Sequence, residues 1–110
     1  MNYNVIATSN FKKEHKKLSK RYKSLKNDVL KLIDQLEVQP EQGTSLGQKC
    51  FKIRLAINSK GKGKSAGGRV ITHVKLTKNN VYLISIFDKS DKDSISDKEL
   101  RDLIKDLYLP

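Results

Sequence analysis

Residues 51–87 read FKIRLAINSKGKGKSAGGRVITHVKLTKNNVYLISIF and contain three strand patterns in succession. In residues 51–57 apolar and polar side chains alternate, which is the two-residue period of a strand with one buried face. Residues 69–76 alternate in the same way, whereas residues 81–87 are almost continuously apolar, as in a strand covered on both sides. We therefore predict three consecutive strands, with the third in the middle of the sheet.

The segments that join these strands carry turn signals. The glycine- and lysine-rich residues 59–68 predict a flexible basic loop, and Asn79-Asn80 predicts a tight turn. Residues Gly43 to Gly47 predict a further loop ahead of the first of the three strands.

Two helices are predicted upstream of this stretch. Apolar residues recur at helical spacing from Phe11 to Leu36, behind good N-cap residues at positions 8–10. A break at residues 19–24 divides the pattern, which stops before Pro40. Residues 4–7 form a short apolar run that predicts an edge strand.

A last helix is predicted near the C-terminus, where Ser96 and Glu99 match a capping box. Its apolar stripe consists of Leu100, Leu103, Ile104 and Leu107. The order β-α-α-β-β-β-α predicts one α+β domain over residues 1–110. We expect an antiparallel four-stranded sheet packed on two N-terminal helices, with a short C-terminal helix.

Composition predicts a cytoplasmic protein. The single cysteine, Cys50, cannot form an internal disulfide, and it offers no zinc ligand set. No apolar run approaches the roughly 20 residues that a membrane span needs. The N-terminal residues also lack the pattern of a secretory signal. We therefore expect no membrane association and no metal or small-molecule cofactor.

The charge distribution predicts a partner rich in phosphate. The chain of 110 residues has a formal net charge of +11. Nucleic acid, an anionic membrane surface and an acidic protein all suit such a charge. Because residues 42–87 contain no Asp or Glu, the positive field is concentrated in the middle of the chain, as in a surface that binds nucleic acid.

Four basic residues are predicted to surround one concavity. Lys52 and Arg54 share a strand face about 6.6 Å apart, and the next strand can bring Arg69 onto that face. Lys89 falls on the same side in the strand alternation, so it can reach the rim of this concavity. Preorganised cations suit metal-free RNA cleavage, in which a 2′-OH attacks the adjacent phosphate and charge builds on the phosphoryl oxygens. The alternative is a set of solvated strand charges, but a face that carries only cations repels itself until an anion joins it.

Further residues are candidates for contact with RNA. They are Lys49, Lys60, Lys62, Lys64, His73, Lys75 and Phe87. Gly63-Lys64-Ser65 is similar to the end of a phosphate-binding P-loop, but Asn58 stands where that pattern needs glycine and a strand follows instead of a helix. The lysine run from Lys12 to Lys26 fits either a surface for ribosomal RNA or a solvated helix face.

The order of FKKEHKKLSKRYKSLKNDV, FKIRLA, GKGKSAGGRVI and VYLISIFDKSDKDSIS along the chain resembles toxins of the RelE/ParE superfamily, in particular the HigB-like branch. The resemblance covers nearly the whole chain. It implies a sheet packed on two N-terminal helices and a toxin of a type II toxin–antitoxin pair. It further implies an endoribonuclease that cuts mRNA on the ribosome and a cognate antitoxin that neutralises it.

The resemblance also implies roles for the basic cluster. Lys52 matches a general base, Arg54 a second basic residue on its strand, and Arg69 the arginine that holds the scissile phosphate. Lys89 stands where the RelE branch has an arginine that assists the leaving group, and lysine lacks that residue's bidentate fork. Ile95 replaces a tyrosine that stacks on a base, which leaves Phe87 or Tyr82 as stacking candidates.

Two other functions fit the same sequence. A ParE-like inhibitor of DNA gyrase would keep the fold and act by binding, although the combination of Lys52, Arg54 and Arg69 favours a nuclease. A non-catalytic basic RNA-binding protein would use the charge alone. The low aromatic content argues against a stacking platform for single strands.

Overall fold

The computed structural model describes residues 2–61 and 63–108, and these residues form five strands and three α-helices. In chain order the elements are β1 (Asn4–Ala7), α1 (Ser9–Ser19), α2 (Leu25–Val38), β2 (Thr44–Gly47), β3 (Cys50–Leu55), β4 (Gly68–Lys75), β5 (Asn80–Asp88) and α3 (Asp97–Leu107). Short 3-10 turns at Asn58–Lys60, Lys64–Ala66 and Leu76–Lys78 punctuate the loops. No helix in the described part of the chain is both long enough and apolar enough to cross a membrane.

The sheet has the order β1-β5-β4-β3-β2, with β1 parallel to β5 and the other neighbours antiparallel. The α+β class is confirmed, as are the three consecutive strands β3, β4 and β5. The prediction of an antiparallel four-stranded sheet needs two corrections. The described sheet has five strands, because β2 forms where the sequence predicted a loop, and it is mixed, because β1 runs parallel to β5. The turn from β2 to β3 has positive φ at both Gln48 and Lys49. Such a turn usually carries Asn or Gly, so its usual sequence signal is missing here.

Both faces of the sheet are covered by helices. On one face α1 and α2 bury side chains such as Phe11, Leu25 and Leu36 against Ile53, Val70, Leu83 and Ile86. On the other face Leu100 and Ile104 of α3 pack against Ile71, Ile84 and Phe87. The prediction that residues 81–87 form a central strand is therefore confirmed, because β5 lies between β1 and β4 and contributes to both cores.

The helices begin and end where local side chains satisfy their free backbone groups. Thr8 caps α1 by accepting a hydrogen bond from the backbone of Phe11. The predicted capping box of α3 is confirmed, since Ser96 accepts from the backbone N–H of Glu99 and its hydroxyl contacts the Glu99 carboxylate. The predicted break between α1 and α2 is also confirmed.

Polar contacts fasten the loop between β3 and β4 to the rest of the fold. Buried Asp28 of α2 accepts hydrogen bonds from the backbone and side chain of Asn58. At the far end of the loop, a Cβ on Gly67 would lie 2.2 Å from the carbonyl oxygen of Leu55. A glycine is therefore required for the loop to return this close to β3, and this approach brings its carbonyl groups to the end of β4.

Candidate active site

Arg54 and Arg69 are direct cross-strand partners in the antiparallel pair of β3 and β4. Lys52 lies two residues from Arg54, opposite Ile71, whose side chain belongs to the core beneath α3. Alternate residues of β3 point to the same face, so Lys52, Arg54 and Arg69 lie together on the α3 side of the sheet. The structure therefore brings three of the four predicted catalytic residues onto one face.

Lys52 and Arg54 are available to an external anion. Arg54 is exposed and Lys52 is half-buried. Within residues 2–61 and 63–108, neither side chain forms a hydrogen bond or an ion pair. The positive charge of these two neighbouring side chains is therefore not compensated by an ion pair within the described residues.

Arg69 has very different surroundings. Its side chain is 3% exposed, and its Nε donates to the carboxylate of Asp93 at 3.1 Å. Nη1 donates to the carbonyl oxygens of Lys64 and Gly68, and Nη2 donates to that of Ser65. The loop before β4 thus fixes the guanidinium in place, and a carboxylate from beyond β5 supplies the anion that the cationic face requires.

Lys89 lies at the same end of the sheet, just after β5. Its backbone N–H donates to the carbonyl oxygen of Gly67, next to the β4 end that carries Arg69. The side chain is exposed and forms no hydrogen bond or ion pair with the described residues. Its position beside the cluster is compatible with the predicted place at the rim.

Three predicted RNA-binding residues lie at this end. Lys64 is exposed. Lys60 is engaged in the fold, because its Nζ contacts Asp88 at 2.7 Å. Phe87 is directly opposite Arg69 on β5, but it is only 6% exposed and lies 4.8 Å below the ammonium group of Lys92. In this structure Lys92 therefore covers the ring on which a base would stack.

Lys49, His73 and Lys75 lie towards the opposite end of the sheet. His73 lies four positions after Arg69 in β4, or about 13 Å along the strand. Lys49 pairs with Glu41 at 3.2 Å, and Lys75 lies 4.5 Å above the ring of Tyr108. The structure thus divides the predicted RNA-binding set into two groups, and Lys62 lies outside the described residues.

His73 is buried between the sheet and the end of α3. Its Nδ1 is 3.4 Å from the Cys50 sulfur, and its Nε2 is 2.7 Å from the Tyr108 hydroxyl. Burial lowers the pKa of His73 and raises the pKa of the Cys50 thiol to about 11. A buried thiol of that kind is a poor nucleophile. The contact between Tyr108 and His73 joins the end of α3 to the sheet.

Asp88, which is fully buried at the end of β5, was not among the predicted site residues. Its carboxylate contacts Arg21 and Lys60 as ion pairs, and it also accepts hydrogen bonds from Tyr22 and Ser90. Burial alone would raise the pKa of Asp88, but the hydrogen bonds from Lys60, Tyr22 and Ser90 hold it well below its usual range. Asp88 therefore joins the α1–α2 connection to the loop that borders Arg69. No local motif in the sequence signals this role.

Helix α1 presents a cationic outer surface. Its exposed lysines are Lys12, Lys13, Lys16 and Lys17, and Lys20 follows at the C-cap. Glu14, the one acidic residue of α1, points toward the sheet and accepts hydrogen bonds from Asn10, Ser85 and the backbone of Ile86. The lysines therefore have no acidic partner on their own helix, an arrangement that fits both a surface for ribosomal RNA and a solvated helix face.

The comparisons with known proteins agree with this fold. A family model described as the RelE toxin of the RelE/RelB toxin–antitoxin system matches residues 4–107. No curated protein matches the sequence significantly.

Among solved structures, an E. coli RelE toxin with two arginine-to-alanine substitutions, in the free state, has a TM-score of 0.65 at 20% identity, covering 99% of this chain and 100% of its own. The isolated E. coli RelE toxin has a TM-score of 0.50 at 20% identity, covering 94% and 97%. The intact E. coli RelBE toxin–antitoxin complex has a TM-score of 0.50 at 22% identity, covering 78% and 95%.

The structural likeness establishes the fold, and the family model spans almost the entire chain. The matched residues include every strand and helix that carries the basic cluster. The chain therefore belongs to the RelE family of toxins from RelE/RelB toxin–antitoxin systems.

Proposed function

We propose that this toxin is a metal-independent endoribonuclease that cleaves mRNA on the ribosome and so inhibits translation. The observation that carries the proposal is the placement of Lys52, Arg54 and Arg69 on one face of the sheet, with Arg54 directly opposite Arg69. Like charges in direct cross-strand contact destabilise a sheet. Their presence is explained if an RNA phosphate binds between them.

In the proposed reaction the 2′-oxygen of one nucleotide attacks its 3′ phosphate. A bond forms between that oxygen and phosphorus, and the bond from phosphorus to the 5′-oxygen of the next nucleotide breaks. The products are a 2′,3′-cyclic phosphate and a free 5′-hydroxyl. Arg54 and Arg69 stabilise the charge that develops on the phosphoryl oxygens. Lys52 in its uncharged amine form accepts the 2′-OH proton, and Lys89 in its ammonium form donates a proton to the departing 5′-oxygen.

Lys89 is compatible with this role because it lies at the Arg69 end of the sheet with an exposed side chain. Stacking of a base on Phe87 requires that Lys92 move away from the ring. The ribosome, rather than a deep pocket in the toxin, then positions the reacting groups of the mRNA.

We further propose that a cognate antitoxin binds this protein and that the pair acts in the cytoplasm. The solved E. coli complex contains a RelE toxin with its RelB antitoxin. A net charge of +11 would accelerate encounter with an acidic antitoxin segment. The placement in the HigB-like branch stays a prediction.

The proposal is tested with purified protein and ribosomes programmed with a defined mRNA, reading the cleavage sites by primer extension. The wild-type protein should cleave the mRNA, and Lys52→Gln should cleave at least tenfold more slowly. Lys78→Gln is the matched control, since it removes the same charge from an exposed residue in the β4–β5 turn. Absence of cleavage at every codon would refute the nuclease assignment.

The same assay separates the two rival functions. Ribosome binding without cleavage would support a non-catalytic RNA-binding protein. A DNA-damage response in cells without translation arrest would support a ParE-like gyrase inhibitor.

A further inference from the structure

Arg69 uses most of its hydrogen-bonding capacity inside the protein. A guanidinium has five N–H donors. Two contacts from Nη1, one from Nη2 and one from Nε account for four of them. Three of these four contacts end on backbone carbonyl groups, which hold the side chain without neutralising it. The fourth ends on the carboxylate of Asp93, which does neutralise it.

The attachment of Asp93 is weak in comparison with that of Asp88. Asp88 is fully buried and receives contacts from four different residues. The Asp93 side chain is 61% exposed, and among the described residues its one polar partner is Arg69. An exposed carboxylate held by one ion pair exchanges readily with other anions in solution.

The chain around Asp93 forms a strap across the cationic end of the sheet. Before it, Lys92 covers the ring of Phe87, and it also contacts Glu99 of α3 at 3.4 Å. After it, Ile95 packs into the core beneath α3. The strap therefore lies over both the proposed phosphate-binding residue and the proposed stacking residue.

We propose that Asp93 is an internal competitor that occupies the anion site of Arg69 in the free protein. A phosphodiester, or a free anion of the same chemistry, must displace the Asp93 carboxylate before it can bind. Displacement frees Nε, which together with the unused N–H of Nη2 provides two donors for a phosphate. The carbonyl contacts from Lys64, Ser65 and Gly68 need not break, so the guanidinium stays in place. The inference rests on the proposed function, because it takes Arg69 as the phosphate-binding residue.

Only molecules in which Asp93 has left Arg69 can bind phosphate. The apparent affinity for phosphate is therefore the intrinsic affinity multiplied by the fraction of such molecules. Asp93→Asn removes the competing charge and keeps the size of the side chain. We expect this variant to bind phosphate roughly three- to tenfold more tightly than the wild-type protein.

The test follows the Nε–H resonance of Arg69 by NMR, assigned by its loss in Arg69→Lys, during titration with two ligands. One is inorganic phosphate, and the other is a short single-stranded RNA in which 2′-deoxy substitution prevents cleavage. A gain for both ligands identifies a general phosphate site, and a gain for the oligonucleotide alone identifies a phosphodiester site; either outcome supports the proposal.

Asp91→Asn is the matched control. Asp91 is 59% exposed, against 61% for Asp93, and forms its ion pair with Arg21 rather than Arg69. Both variants change the net charge equally, so the proposal requires a gain in Asp93→Asn that Asp91→Asn does not show. Equal affinities in the two variants would overturn it, and weaker binding by Asp93→Asn would instead make Asp93 part of the binding site.

Because this titration measures binding alone, its result does not depend on whether the protein cleaves mRNA. Tighter phosphate binding by Asp93→Asn in a protein that never cleaves mRNA would retain the internal competitor and remove the nuclease. Cleavage by the wild-type protein, without tighter phosphate binding by Asp93→Asn, would retain the nuclease and remove the internal competitor. A melting curve of each variant, together with Asp93→Ser as a second substitution, ensures that a lost fold is not mistaken for lost binding.

Discussion

Arg54 of β3 and Arg69 of β4 occupy directly opposed positions, so two guanidinium groups share one site on the sheet. Arg54 is exposed and has no acidic partner in the described part of the chain, whereas Arg69 is buried and bound to Asp93. In the free protein Asp93 neutralises Arg69, whereas Arg54 stays without an anion until a ligand binds.

We expect Arg54→Gln to separate stability from activity. Removing one of two opposed like charges should leave the melting temperature unchanged or raise it slightly, by an amount that corresponds to roughly 0.5 kcal/mol. The same substitution should lower the rate of mRNA cleavage at least tenfold. Thermal melts and single-turnover cleavage measure the two effects. A loss of stability with full activity would show that Arg54 serves the fold.

Asp88→Asn should destabilise the protein strongly. The substitution leaves Lys60, which is 13% exposed, without its carboxylate partner. Breaking a buried pair in this way costs about 3 kcal/mol, which corresponds to a fall in melting temperature of roughly 13 °C. Asp91→Asn, which breaks an exposed pair, should change the melting temperature by much less. Equal shifts would show that the Asp88 network contributes little.

The contribution of Asp88 should also depend on pH. The pKa of Asp88 in the folded protein is below the value of about 3.9 expected in an unfolded chain. As the pH falls, the unfolded chain is therefore protonated before the folded protein. The stabilisation is therefore complete well above that value and is lost as the pH falls below it. The difference in unfolding free energy between wild type and Asp88→Asn should shrink as the pH falls from about 5 to about 2. A constant difference across this range would contradict the shift.

The docking of α3 should weaken in mild acid. Burial lowers the pKa of His73, so the unfolded chain takes up its proton at a higher pH than the folded protein does. Stability should fall as the pH drops through the unfolded value of about 6.5. His15 shifts in the same direction through burial and the nearby Lys26, so His15→Gln serves as the comparison.

Tyr108→Phe removes the hydrogen bond between the Tyr108 hydroxyl and His73 and should cost about 1 kcal/mol at neutral pH. Denaturant melts between pH 5 and pH 8 measure both effects. A pH dependence that disappears in His15→Gln but persists in His73→Gln would refute the role of His73.

The lysines on α1 should contribute to RNA binding without contributing to the cleavage step. Replacing Lys13, Lys16 and Lys17 by Gln should weaken ribosome binding and flatten its salt dependence, by about 0.7 to 0.9 in log–log slope for each phosphate that the protein no longer neutralises. The matched control replaces Lys98, Arg101 and Lys105, three exposed cations of α3. Identical slopes for the two triple variants would make the α1 surface a solvated helix face.

Much of the fold follows from local patterns. The alternation of residues 51–57, the apolar run of residues 81–87, the break between α1 and α2 and the Ser96 capping box are short-range signals, and the structure confirms each of them. Strand β2 is not predicted from the sequence because it is four residues long, lies at a sheet edge and is followed by a turn at Gln48-Lys49. A polar edge strand has no hydrophobic period to detect.

The site was only partly predictable for a related reason. Strand parity placed Lys52, Arg54 and Arg69 on one face because alternation along a strand is a local property. The acids that engage the basic centre are distant in sequence: Asp93 is 24 residues beyond Arg69, and Asp88 is 28 beyond Lys60. The acid-free stretch of residues 42–87 is therefore partly neutralised in space by acids outside it, and no spacing rule reveals such pairs.

The proposed function depends on cationic side chains of β3 and β4 that hold one scissile phosphate. The most direct measurement is mRNA cleavage on programmed ribosomes by Lys52→Gln/Arg54→Gln, a double variant whose removed side chains have no hydrogen-bonded partner among the described residues. We expect an unchanged melting temperature, retained ribosome binding and cleavage reduced by a factor of about 100 or more. Cleavage at the wild-type rate by this folded, ribosome-bound variant would contradict the proposed function.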